Sequence, residues 1–170
     1  MTPQSTDEIF RSMNPPPPVA NGWWLLSWSD FRRQLESLVT AVERLREADA
    51  DGYASHPKAK LLATILRLVT RDIPRDPGHG DFRQGGTLGS EYTGWFRAKF
   101  HQRFRLFYRY DSARKVIVYA WVNTESGLRK SGDRNDPYAV FRRMLDRGAP
   151  PNNFDELLKE SGGLRLPPGE

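Results

Sequence analysis

The chain has 170 residues, of which 38% are hydrophobic and 28% charged, and this composition predicts one globular domain. The mean hydropathy of -0.68 and the lack of an apolar run of about 18 residues argue against a membrane protein, so we expect a cytoplasmic location. The chain has no cysteine, which excludes disulfides and thiolate metal sites.

The net charge of +5 is concentrated in one part of the chain. Residues 81–148 carry 14 Lys and Arg against 7 Asp and Glu, whereas residues 1–80 are balanced and residues 149–170 are slightly acidic. A basic block of this kind is typical of a phosphate-binding surface, although a solvated basic face has the same composition. Charge therefore favours a polyanionic partner without identifying it.

The first half of the chain predicts two helices after a flexible start. Residues 1–20 contain four consecutive prolines at positions 15–18 and lack apolar periodicity, so we expect a flexible, proline-rich lead-in outside the fold. Apolar residues recur at helical spacing from Ser29 to about Glu47, and again from Pro57 until Pro74. The two helices are expected to pack as a hairpin, followed by a glycine-rich loop.

The second half predicts a sheet and then helices. Three segments rich in aromatic and β-branched residues should form an antiparallel meander: Trp95–Phe100, Phe104–Tyr110 and Lys115–Asn123. A helix should open at Asp136-Pro137 and end before Gly148, and a shorter helical segment should follow. We therefore predict one α+β domain over residues 21–160 and a flexible tail over residues 161–170.

The hydrophobic pattern selects the register of the first two strands. Pairing Phe100 with Phe104 keeps the apolar positions on one face of the sheet, whereas a slip by one residue would bury Arg105. The opposite face then carries basic and aromatic side chains: Arg97, Lys99, Arg105 and Arg109, interleaved with Trp95 and Phe107. Guanidinium groups and exposed rings in this arrangement are typical of a surface that binds unstacked RNA.

Several stretches from about Asn21 to Leu158, taken in their order along the chain, resemble the YhaV family of toxins from type II toxin–antitoxin modules, a branch of the RelE-like ribonucleases. The matching stretches include Asn21-Gly22-Trp23, Lys60–Ala63, Trp95–Phe100, Arg103–Tyr110, Trp121–Glu125, Asp136–Phe141 and Met144–Gly148. Each stretch is weak alone, but together and in order they are specific.

The resemblance implies a RelE-like α+β fold, in which an N-terminal helical hairpin and a C-terminal helix pack on an antiparallel sheet and RNA binds across its open face. It also implies endonuclease activity on messenger RNA, either free or on the ribosome. The implied partner is an antitoxin similar to PrlF, with an AbrB-like DNA-binding fold, whose complex with the toxin would bind operator DNA.

The RelE-like pattern also implies the catalytic residues, which fall on Arg97, Lys99, Arg105, Arg129 and Tyr138. Arg97 stands where that pattern often has lysine, and the stretch between Trp121 and Tyr138 is longer than in the pattern. Further residues near this face are candidates for binding RNA: Trp95, His101, Arg103, Phe107, Arg109 and Lys130.

RNA can be cut without a metal when its own 2′-hydroxyl attacks the adjacent phosphate, which requires a base, an acid and charge stabilisation. We expect no cofactor, because the basic strands carry no cluster of His or carboxylate side chains with ligand spacing. Lys99, His101 and Glu125 are alternative bases, while the arginines should hold the phosphate. The assignments of general base and general acid stay open at this point.

Two other functions compete with a ribonuclease. A non-catalytic RNA-binding module would use the same basic face. A DNA-binding regulator is less favoured, because the helix after Pro137 carries only three arginines and no helix-turn-helix pattern surrounds it.

Overall fold

The strands and helices of the chain have the following bounds in the computed structural model, which describes residues 5–124 and 127–168. The strands are β1 Val19–Ala20, β2 Trp23–Trp28, β3 Phe96–Phe100, β4 Phe104–Asp111, β5 Val116–Val122 and β6 Ser161–Gly163. The helices are α1 Thr6–Ser12, α2 Ser29–Ala48, α3 Pro57–Arg67, α4 Ile73–Arg75, α5 Pro137–Asp146 and α6 Phe154–Lys159, and the π-helical segment Leu68–Asp72 joins α3 to α4.

These strands form one six-stranded sheet with the order β1-β2-β5-β4-β3, and β6 pairs with β2. The β3–β4–β5 meander is antiparallel, as the sequence predicts, and Phe100 pairs with Phe104 in the expected register. β2 and β5 are parallel. The predicted α+β fold, with its helical hairpin, meander and C-terminal helix, is therefore confirmed.

Helices cover both faces of this sheet. The hairpin of α2, α3 and α4 packs on one face and buries Phe31, Leu66 and Val69 there. On the other face α5 and α6 bury Phe141 and Leu157 against the strands. The expectation of an open sheet face is therefore wrong. This face is covered because α5 is amphipathic and buries its apolar side against the strands.

The described residues near both ends of the chain belong to the fold. The flexible lead-in is a wrong prediction for residues 5–20, because Phe10 of α1 packs edge-on against Trp24 and Asp7 accepts a 2.7 Å hydrogen bond from the Trp24 indole. The tail prediction is wrong for residues 161–164 as well: β6 pairs with β2, and Leu164 is buried in the core. The folded unit thus extends past both predicted boundaries, 21 and 160.

Within residues 5–124 and 127–168, no helix has the length and apolar character needed to cross a bilayer.

Candidate active site

The basic side chains of β3 and β4 lie at the edge of the surface that α5 covers. In the β3–β4 register Lys99 is opposite Arg105 and Arg97 is opposite Phe107. Phe107 is fully buried and stacks on Phe141 of α5 with ring centroids 4.4 Å apart. Arg97 and Arg105 lie beside the first turn of α5, at the edge of the surface that this helix covers.

Trp95 and Phe107 are therefore not exposed, and the prediction that they offer rings to RNA bases is wrong. Trp95 is 1% exposed, and its indole donates a 3.0 Å hydrogen bond to Asn152. Both rings alternate correctly onto the basic face, but Phe141 packs against both. The strand pattern alone gives no sign of this covering helix.

Tyr138 is the residue on which the site converges. It lies in the first turn of α5, where Asp136 caps the helix by accepting a 3.1 Å hydrogen bond from the Tyr138 amide. Its ring meets Phe107 edge-on at 5.5 Å. Its hydroxyl accepts one hydrogen bond from Arg97 Nε at 2.8 Å and another from Arg105 Nε at 3.2 Å. One phenol oxygen thus joins the arginines of two strands.

Both arginines are held by backbone carbonyls as well. Arg105 is 8% exposed, and its Nη1 donates to the carbonyls of Gln102 at 3.0 Å and Phe104 at 2.9 Å. Arg97 Nη1 donates to the carbonyl of Asp81 at 2.8 Å. Neither guanidinium is paired with a carboxylate in these contacts, so both keep their positive charge available to an anion.

Arg129 joins the same cluster from the loop after β5. Its guanidinium lies 4.8 Å from the centroid of the Tyr138 ring, a cation–π contact. Its Nη1 donates a 2.6 Å hydrogen bond to Asp136, whose side chain is 4% exposed. The backbone N–H of Arg129 also donates to the Arg103 carbonyl at 2.8 Å, which ties this loop to the β3–β4 turn.

Asp136 is a site residue that sequence reasoning valued only as a helix cap. It also accepts a 2.7 Å hydrogen bond from the Lys130 amide, so one buried carboxylate holds Arg129, Lys130 and Tyr138 in place. A carboxylate placed two residues before a candidate tyrosine was the available signal, but the sequence gives no reason to connect it to Arg129. We call Arg97, Arg105, Arg129, Asp136 and Tyr138 the Tyr138 cluster.

Other predicted residues form the rim of the Tyr138 cluster. Lys99 is exposed on β3, directly opposite Arg105. Arg103 and Lys130 are exposed too, and Arg103 Nε donates a 3.0 Å hydrogen bond to the Arg129 carbonyl. These three cations surround the cluster with solvent-accessible positive charge.

Two predicted residues are engaged elsewhere. His101, in the β3–β4 turn, lies 2.8 Å from the Thr64 hydroxyl of α3, on the opposite face from Tyr138. Arg109 packs over the rings of Trp95 and Phe154 and donates to the Asn152 carbonyl, and burial lowers the pKa of its guanidinium. Its expected exposure on the basic face is wrong, since α6 and the preceding loop cover it. Glu125, a rival base, lies outside the described residues.

The Tyr138 cluster suits a phosphate. Three guanidinium groups meet with one carboxylate, so the cluster keeps an excess of positive charge in a partly buried position. Such groups stabilise the extra negative charge of a phosphorane transition state. Across residues 5–124 and 127–168, no three His, Asp or Glu side chains group closely enough to hold a metal ion.

Comparison with known proteins relates most of the chain to one family. Residues 25–162 match a family described as a toxin with endonuclease activity, of a toxin–antitoxin system. The chain is 38% identical over 147 residues to the Ribonuclease toxin YhaV of Escherichia coli, which covers 85% of this chain and 96% of that protein. Toxin YhaV of Escherichia coli O157:H7 has the same identity and coverage. No solved structure matches the chain.

Proposed function

Because the chain belongs to the YhaV family of endoribonuclease toxins from toxin–antitoxin systems, we propose that it cuts messenger RNA at the Tyr138 cluster. The proposed reaction is attack by the RNA 2′-hydroxyl on the adjacent phosphorus, without a metal. The bond from phosphorus to the 5′-oxygen breaks, which leaves a 2′,3′-cyclic phosphate and a 5′-hydroxyl end.

One observation carries the assignment of roles: the Tyr138 hydroxyl accepts from two guanidinium groups at once. Those two hydrogen bonds use both lone pairs of the neutral phenol, so its own O–H can only donate. No acceptor for this proton is found among the described residues of the site. Tyr138 is thus arranged to give its proton to the leaving 5′-oxygen, as a general acid.

The arginines have a different role in this proposal. Arg97 and Arg105 keep further N–H groups next to the phenol, and Arg129 adds a third positive charge above its ring. Guanidinium groups stay protonated and present a fork of donors, so they suit the non-bridging phosphate oxygens. Lys99 is the proposed base for the 2′-hydroxyl, since it is exposed opposite Arg105 whereas His101 contacts α3 on the other face.

The test is cleavage of a single-stranded oligoribonucleotide by the purified protein in EDTA. We expect fragments that end in 2′,3′-cyclic phosphate, and no cut where a single 2′-deoxynucleotide replaces the nucleotide on the 5′ side of the scissile phosphate. Cleavage that persists at the deoxy position would contradict the mechanism because the attacking hydroxyl would then not be the RNA's own, and cleavage that requires added magnesium would contradict its metal-free chemistry.

The family gives this toxin an antitoxin partner and an RNA substrate. We propose further that the antitoxin is similar to PrlF, with an AbrB-like DNA-binding fold, that the complex binds operator DNA, and that the toxin acts in the cytoplasm on messenger RNA, either free or on the ribosome. The family resemblance supports these identities. Purification of the chain together with the product of its adjacent reading frame, followed by a gel-shift with the upstream DNA, tests them.

A further inference from the structure

A groove of about 740 Å³ opens between α2, α3 and the ends of β4 and β5. Its lining is mainly apolar and includes Leu35, Leu38, Ala41, Leu61, Ile65 and Phe104. Leu38, Leu61 and Phe104 are only half-buried, so an apolar surface faces solvent along the helical hairpin. This surface lies on the face of the sheet opposite to the Tyr138 cluster.

Among the described residues that line the groove, the charged ones are positive. They are Arg33 of α2 and Lys58 of α3, which are exposed at its rim. Arg33 is paired with Asp30, so Lys58 is the stronger candidate for an acidic partner. The lining therefore complements a segment that combines apolar side chains with carboxylates.

The groove also reaches the strand end that supports the site. Gln34 lies in its wall and pairs with Val122, donating to the carbonyl at 2.7 Å and accepting from the N–H at 3.1 Å. The next residue, Asn123, accepts from the Arg105 N–H at 2.7 Å and donates to the Gly127 carbonyl at 3.0 Å. An occupant of the groove would therefore contact the end of β5 that is tied to Arg105.

We propose that this groove is the docking site for an amphipathic, acidic segment of the antitoxin. The inference rests on the proposed function, because the toxin–antitoxin family supplies the partner. Apolar side chains of the segment would fill the groove between α2 and α3, and its carboxylates would pair with Lys58. A second copy of this chain is the alternative occupant, and its binding would change the mass of the protein in solution.

The experiment measures antitoxin affinity by calorimetry for two variants in the groove and two matched variants outside it. Lys58→Glu and Ala41→Glu change residues that line the groove, whereas Lys60→Glu and Ala63→Glu place the same charge on exposed positions of α3 that do not line it. We expect the first pair to weaken antitoxin binding by about tenfold or more and the second pair to leave it unchanged. Lys58→Arg should bind as the parent does.

Each variant is also assayed for RNA cleavage without antitoxin and for mass by light scattering. Unchanged cleavage in all five variants is expected, because none of these residues contacts the Tyr138 cluster. The proposal is overturned if both groove variants bind antitoxin as tightly as the parent, or if they change only the oligomeric state, since a second copy would then occupy the groove. Failure of the parent to cleave RNA would instead contradict the proposed function, and the antitoxin titration would still decide the groove.

Discussion

At the scale of single residues, Tyr138 determines how the site is built. Its ring is anchored on Phe107, and its hydroxyl fixes the side chains of Arg97 and Arg105, which come from different strands. The remaining donor, the phenol proton, is the group that the proposed chemistry needs. Removal of the Tyr138 hydroxyl oxygen should therefore impair catalysis while the ring keeps its packing on Phe107.

Tyr138→Phe is expected to lower the rate of RNA cleavage by about 100-fold or more, the usual contribution of general acid catalysis. The ring contacts with Phe107 persist, so the protein should fold and still bind RNA. Single-turnover cleavage and RNA affinity measured on the same preparation test this. Tyr110→Phe, on the face that packs against α2 and α3, is the control and should cleave normally. A fully active Tyr138→Phe variant would contradict the assignment of the acid.

Asp136 is a positioning residue that acts through Arg129 and Tyr138. Asp136→Asn keeps one side-chain oxygen for the Tyr138 amide but puts an NH2 group where Oδ1 accepts from Arg129 and from the Lys130 amide, so kcat should fall while KM for RNA changes little. In a double-mutant cycle with Arg129→Ala the two effects should not add, since both remove one interaction. Asp133→Asn, which contacts the Asn135 amide in the same loop, is the matched control. Additive effects would show that Asp136 is only a helix cap.

At the scale of elements, local pattern predicted more than long-range packing. The β3–β4 register follows from alternation, since a slip would place Arg105 among the apolar side chains of the other face, and the structure pairs Phe100 with Phe104 as expected. β2 gave no such signal: residues 23–28 are all buried, so they do not alternate, and their parallel pairing with β5 is distant in sequence. A bulge between the Phe107 and Tyr108 pairings likewise sends Tyr119 and Trp121 to opposite faces.

The candidate site divides in the same way. Alternation placed Arg97 and Arg105 on one face, and the family resemblance added Arg129 and Tyr138, which the structure brings into contact with them. The contact of Asp136 with Arg129 and the burial of Trp95 depend on where α5 docks. The docking of α5 depends on apolar surface from elements that are distant in sequence, so the sequence of one segment does not predict it.

The packing of α1, which sequence composition places outside the fold, can be tested by substitution. Phe10→Ala should lower the free energy of unfolding by about 3 kcal/mol, because the Phe10 ring is buried against Trp24. Ile9→Ala, one residue earlier and 45% exposed, should cost little. Urea denaturation of the two variants measures the difference. Equal stability of both variants would mean that α1 is not docked in solution.

At the scale of the whole molecule, the sheet separates two surfaces of different chemistry. The Tyr138 cluster and its basic rim lie on the α5 face, and the apolar groove lies between α2 and α3 on the other. Two buried tyrosines stand between them in the core: Tyr108 donates a 2.6 Å hydrogen bond to the Pro77 carbonyl, and Tyr119 donates a 2.7 Å hydrogen bond to the Val69 carbonyl. Their ionisation couples the stability of the entire fold to pH.

Burial raises the pKa of both Tyr108 and Tyr119 above the ordinary value, since neither phenolate would be solvated in the core. Unfolded tyrosines titrate near pH ~10, so stability is fully present below that pH and is lost as the pH rises above it. Each tyrosine should lower the free energy of unfolding by about 1.4 kcal/mol per pH unit in that range. Urea denaturation at several alkaline pH values measures this slope, and Tyr119→Phe should reduce it. Tyrosinate absorbance should rise together with unfolding for these two residues; if all six tyrosines ionised in the folded protein near pH ~10, burial would not control their titration.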